Sequence, residues 1–134
     1  MIVVDTNVIA YLCIPGQHTA LADAAFRKKD SEWTAPFLWR SEFRNILAGC
    51  MRRGQLDRET ALRTIEEAEK VLHGREFMVP SKKVLEWVGR STCSAYDCEF
   101  VALAEDLGLP LVTTDGQILK EFPKIGIHLA DFVK

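Results

Sequence analysis

A strand whose apolar residues run on without alternation suits cover on both faces, and this chain has two. Ile2-Val3-Val4 and Leu111-Val112-Thr113 are continuous runs with no polar alternation, the pattern of strands buried between two layers. Further strand signals fall at residues 33–35 and 77–79, and a weak one at 126–129. Helical patterns lie between them. One covers residues 20–29. A second covers 36–53, with Pro36 at its start and Gly54 just past its end, the usual asymmetry of helix punctuation. A third, 57–73, opens on Asp57-x-Glu59-Thr60 and closes before Gly74. Residues 81–91 and 96–107 give two more, the last stopped by Gly108 and Pro110, and a further turn follows Asp115. Strands alternating with helices predict parallel pairing in a three-layer α/β/α domain. No repeat or linker divides the chain, and 134 residues are expected to fold as a single domain, 1–134, with a sizeable core.

Each buried strand runs into an acid, which raises the question of function. Asp5 follows Val4, and Asp115 closes L-V-T-T-D-G. In open parallel sheets, ligands bind beyond the carboxyl ends of the strands, where the strand order reverses. Simpler explanations exist for both: Asp5 is able to cap a helix, and Asp-Gly is a favoured hairpin dipeptide. The hairpin is the weaker explanation, because Gln117-Ile118-Leu119-Lys120 does not read as a partner strand. Glu42 lies on the second helix in a row with Leu38 and Ile46, so it interrupts an apolar stripe. A buried carboxylate is costly unless compensated, and a core ion pair is its ordinary explanation. Asp97 opens the fifth helix, where the macrodipole favours an acid by about 0.3–1 kcal/mol. Glu99 has the same excuse and no second clue.

Singly, each acid is explicable; together they form a constellation. Carboxylates brought together raise one another's pKa, so gathering Asp5, Glu42, Asp97 and Asp115 makes sense around a hard cation such as Mg²⁺ or Mn²⁺. Such a site suits phosphoryl chemistry. Composition sets a limit on the substrate reading. The net charge is −2, so no overall basic field marks a nucleic-acid binder, and any RNA-binding face has to be local. The four cysteines, Cys13, Cys50, Cys93 and Cys98, form no C-x-x-C pair and have no His at zinc spacing. Free thiols and the lack of any run of about 20 apolar residues predict a cytoplasmic protein.

The sequence resembles the PIN-domain nucleases, and within them the VapC-type toxins of toxin–antitoxin pairs. V-V-D-T-N-V-I, R-S-E-F-R-N-I-L, A-Y-D-C-E-F-V-A-L-A and L-V-T-T-D carry the resemblance, each short, but telling in their order and spacing. It implies a parallel five-stranded sheet of order 3-2-1-4-5, which sets the ends of the first and fourth strands side by side. It also implies a metal-dependent endoribonuclease using Mg²⁺ or Mn²⁺, with Asp5, Glu42, Asp97 and Asp115 as catalytic metal ligands and Thr6, Asn7 and Thr113 beside them. By the same resemblance, the chain is expected to form a homodimer and to be blocked by a cognate antitoxin. Four clustered acids invite an Arg or Lys from that partner, with Phe37, Leu38 and Trp39 offering an apolar bed. On this reading Asp5 is a metal ligand rather than a cap.

Two other strand-then-Asp families fit less well. A haloacid-dehalogenase-type phosphatase needs a second Asp where Asn7 stands, and a response-regulator receiver needs an acidic pair. A non-catalytic PIN-fold module is expected to have lost acids that this chain keeps, and an RNA-processing PIN nuclease usually carries added modules. For RNA contact the sequence offers Arg40, Arg44, Arg52 and Arg53 along one helix. Trp33, Trp39 and Trp87 are stacking candidates, at least two of them better suited to the core or an interface.

Overall fold

The computed structural model describes residues 1–134. Its elements run β1 (Ile2–Val4), α1 (Thr6–Cys13), α2 (Thr19–Arg27), β2 (Trp33–Pro36), α3 (Leu38–Arg52), α4 (Arg58–Val71) and β3 (Glu76–Phe77). They continue with α5 (Ser81–Val88), α6 (Ala95–Leu107), β4 (Leu111–Thr113), α7 (Gly116–Glu121), β5 (Gly126–His128) and α8 (Leu129–Phe132). The five strands are all parallel, in the order β3-β2-β1-β4-β5, as the resemblance implies. β1 is central, and every one of its residues is buried. β4 pairs with it, Val3 opposite Leu111 and Val4 opposite Val112. This register carries Asp5 to the level of Thr113, and the Asp5 N–H donates to the Val112 carbonyl at 3.1 Å.

Helix α6 is buried along Cys98 and from Phe100 to Ala104 and packs against β1, β2 and β4. A helix covered on so much of its circumference cannot slide without opening the core. Gly108 ends it at φ +65°, with the Leu109 N–H donating back to the Ala104 carbonyl at 2.9 Å. Such a left-handed C-terminal turn favours glycine. At its other end, Ser94 caps through its hydroxyl, accepting from the Asp97 N–H at 3.1 Å. The rest of the core centres on Trp33, Trp39, Phe43 and Phe100.

The largest departure from the sequence reading is α1. Its residues, T-N-V-I-A-Y-L-C, include the β-branched Thr6, Val8 and Ile9, which lower helix propensity and continue the apolar run of β1. The helix forms because both β1 and the first turn of α1 are buried, and tertiary packing overrides propensity. The strand expected at 77–79 lies instead at Glu76–Phe77, and Pro36 ends β2 rather than opening α3. Helix α5 stops at Val88 because Gly89 caps it. No helix is long and apolar enough to cross a membrane.

Candidate active site

Asp5, Thr6, Asn7, Glu42, Asn45, Ile46, Asp97 and Asp115 line one cleft of about 240 Å³, at the carboxyl ends of β1 and β4. All four acids singled out in the sequence therefore share a cavity. A larger groove of about 440 Å³, lined by Phe37, Leu38, Met78, Leu85 and Glu99 among others, is chiefly apolar. The chemistry-bearing groups are in the smaller cleft.

Each acid reaches the cleft by a different local device. Asp5 leaves β1 in extended backbone and caps α1, its Oδ1 accepting from the Thr6 N–H at 2.8 Å. Its other oxygen, Oδ2, accepts from the Thr113 hydroxyl at 2.8 Å. Asp115 likewise caps α7, accepting from the N–H groups of Gln117 and Ile118 at 2.9 and 3.0 Å. Caps and cleft residues are thus not alternatives: the same carboxylates do both, which corrects the either-or reading of Asp5. The Thr113 hydroxyl also accepts from the Asp115 N–H at 3.0 Å, so one buried threonine ties the two acids together. Glu42 has no cationic partner. Its Oε1 accepts from the Thr6 hydroxyl at 2.7 Å, which disposes of the core-ion-pair explanation. Thr6 and Thr113 thus stand beside the acids through hydrogen bonds, and Asn7 through the cleft wall.

Burial first, and like charge second, set the electrostatics. Asp5 is pushed up from its ordinary 3.8 to about 6, chiefly by burial; the Thr113 and Thr6 hydrogen bonds oppose the rise, and the charges of Glu42 and Asp97 add to it. Glu42 is raised by burial and then by Asp97. Asp97 is raised by burial and then by Asp115, with the Ser94 hydroxyl easing it. Glu99, in the neighbouring groove, is raised by burial and by Glu42. No Lys, Arg or His lines the cleft. An all-oxygen, acid-rich donor set with no internal counter-charge fits a hard divalent cation. The carboxylates line the walls rather than meeting at a point, for no three Asp, Glu, His or Cys side chains converge tightly enough to enclose an ion.

The basic and aromatic candidates divide. Arg40 is committed elsewhere: its Nε and Nη2 donate to the two oxygens of Glu76 at 2.6 and 2.8 Å, and it also pairs with Glu69. That clamp joins α3 to α4 and β3, whereas Arg44, Arg52 and Arg53 make no ion pair. Trp39 is buried and donates to Glu76 at 2.8 Å, so it cannot serve as an apolar bed for a partner. Trp33 is buried as well, and Trp87 packs edge-on against Phe122. Asn45 was not singled out in the sequence, and Ile46 only as part of the apolar row through Glu42. Their positions three and four residues past Glu42 are the signal that finds them, since such residues share a helix face. Tyr11 is not part of the cleft lining; its hydroxyl lies 3.2 Å from that of Thr114, next to Asp115.

Known proteins share this architecture. A family model described as PIN domain matches residues 2–125. The chain is 30% identical over 127 residues to Ribonuclease VapC3 of Pyrobaculum aerophilum, an alignment covering 92% of this chain and 96% of that protein. Among solved structures, a Pyrobaculum aerophilum protein superposes with a TM-score of 0.77 at 23% identity, covering 98% of this chain and 92% of the other. The FitAcB structure from Neisseria gonorrhoeae gives 0.75 at 16% identity, with 97% and 99% covered. A toxin–antitoxin complex from Klebsiella pneumoniae gives 0.69 at 16%, with 96% and 98% covered. At those identities the structural likenesses speak for the fold.

Proposed function

Given that this chain belongs to the PIN domain family, we propose that residues 1–134 act as one ribonuclease domain, the toxin of a toxin–antitoxin pair. On this proposal it hydrolyses RNA phosphodiester bonds endonucleolytically, with Mg²⁺ or Mn²⁺ held by Asp5, Glu42, Asp97 and Asp115. The observation that carries the reading is the four-carboxylate cleft with no basic lining residue. The relationship to a protein named Ribonuclease VapC3 supports the choice of RNA.

A bound divalent cation would supply a water made nucleophilic at neutral pH and a counter-charge for the phosphate. The chain's own residues hold the oxygens in place for it. The Thr6 N–H and the Thr113 hydroxyl each engage one oxygen of Asp5, so its carboxylate plane is fixed. Thr6 acts twice, its hydroxyl steadying Glu42. The caps made by Asp115 and Ser94 fix the starts of α7 and α6, and with them the positions of Asp115 and Asp97. Pre-orientation of this kind spares the reorganisation that flexible carboxylates require.

The same lack of internal cations supports inhibition by an antitoxin that inserts an Arg or Lys into the cleft, where a carboxylate cluster binds it bidentately. Phe37, Met78, Leu85 and Tyr96 are exposed in or beside the apolar groove, and support a homodimer through that face. Four free cysteines suit the cytoplasm. End-mapping of cellular RNAs after induced expression tests the proposal. Defined new RNA ends that fail to form with an Asp97→Asn variant are expected; identical RNA ends with and without the wild-type chain contradict it.

A further inference from the structure

The cleft has a deficit that its acids cannot make good. An RNA phosphodiester is an anion, and every ionised group on the cleft wall repels it. A cation relieves part of that conflict, yet the non-bridging phosphate oxygens still need hydrogen-bond donors. No Lys, Arg or His lines the cleft. The Thr6 hydroxyl is already given to Glu42. What remains are two carboxamides, those of Asn7 and Asn45. Asn7 is the second residue of α1, and Asn45 follows Glu42 by three residues on α3, on the same face. Both are exposed, and neither side chain is engaged with another group of the protein.

Asn45 is also unexplained by the fold. Asparagine is a poor choice in a helix interior and is favoured at caps and turns, where its amide bonds the local backbone. Here it sits in the middle of a 15-residue helix and caps nothing. A neutral donor has one advantage over a basic one at this place: an Arg or Lys would pair with the carboxylates and close the site, whereas an amide leaves them free for the cation.

We propose that the Asn45 amide, together with that of Asn7, donates to a non-bridging oxygen of the RNA phosphate and so determines substrate affinity in the cleft. The inference rests on the ribonuclease reading and deepens it.

The test compares wild type with Asn45→Ala, Asn45→Asp and Asn7→Ala, measuring RNA cleavage kinetics in Mn²⁺ and the thermal shift given by Mn²⁺ without RNA. Each Ala variant is expected to raise KM about tenfold to a hundredfold, as befits a lost bond to a charged acceptor, with a smaller change in kcat. Asn45→Asp keeps the shape but replaces the donor by a further negative charge, so it is expected to be worse than Asn45→Ala. The Mn²⁺ shift should persist in Asn45→Ala, which folds readily because Ala is the better helix former. Wild-type KM in Asn45→Ala, or Asn45→Asp binding RNA as well as wild type, overturns the inference while the ribonuclease reading stands. Loss of the Mn²⁺ shift in Asn45→Ala also overturns it, since the amide oxygen is then serving the cation. A wild-type chain that cuts no RNA removes the ribonuclease reading and this inference with it.

Discussion

Replacing Asp5 by Asn should make the metal-free protein more stable at neutral pH, although it alters a buried helix cap. The folded state holds the Asp5 carboxyl at about 6 against an ordinary 3.8, so the folded protein keeps that proton to higher pH than the unfolded chain. Stability from this group is therefore full below about pH 4 and is lost as pH rises towards 6. Ionising Asp5 then costs the fold about 3 kcal/mol at pH 7, and about 1 kcal/mol at pH 4.5. Asn incurs none of this. Its oxygen still accepts from the Thr6 N–H, while its NH₂ meets the Thr113 hydroxyl, which now donates to Asp5 and has to turn and accept. That exchange costs up to about 1 kcal/mol. The net expectation is a gain of roughly 2 kcal/mol at pH 7, falling to near zero at pH 4.5. Urea unfolding followed by tryptophan fluorescence, in chelator at the two pH values, measures it. A loss of about 0.5–2 kcal/mol at pH 7, as for a simple cap, or a difference that does not change with pH, refutes the reasoning.

Thr113→Val keeps the shape but leaves a buried oxygen of Asp5 and the Asp115 N–H without their partner; thermal melts should show a loss of about 1–3 kcal/mol, with kcat falling and KM little changed. Arg40→Ala unpairs Glu76, whose side chain is only 9% exposed, while Arg40 itself is part-exposed. A cost of about 2–4 kcal/mol is expected, between the values for surface and buried pairs, with RNA affinity unaltered; a lowered RNA affinity at full stability would return Arg40 to the binding face. Neutralising Arg44, Arg52 and Arg53 together should flatten the salt dependence of RNA binding, by about 0.7 in log–log slope for each phosphate that they neutralise in the wild type. An unchanged slope takes this helix out of the RNA interface.

The framework was legible in the sequence because it is written in local pattern. β1 and β4 show no polar alternation, and with helices between the strands they point to a parallel sheet between helix layers. The acids were legible as anomalies only together, each having a local excuse of its own and no shared one. What the sequence hid is long-range. Glu42 looks like half of an ion pair until its partner proves to be the hydroxyl of Thr6, 36 residues away. Arg40 looks like a free surface cation until Glu69 and Glu76 arrive from α4 and β3. Helix α1 was missed because Thr6, Val8 and Ile9 prefer strands and the burial that forces them into a helix comes from the rest of the molecule. Asn45 is a mild anomaly on its own, an asparagine inside a helix; it acquires a meaning only when Glu42 is known to face the cleft.

Asp97 offers the cleanest test of the central claim, that the four acids are gathered for metal-dependent cleavage of RNA. The α6 cap belongs to the Ser94 hydroxyl, so Asp97→Asn removes a charge from the cleft and leaves the helix start intact. The measurement is single-turnover RNA cleavage by purified wild-type and Asp97→Asn protein in Mn²⁺. The account predicts cleavage by wild type and a rate lower by orders of magnitude for the variant, a loss that comes from the site and not from unfolding. Cleavage by Asp97→Asn at a rate near wild type, still dependent on Mn²⁺, contradicts it.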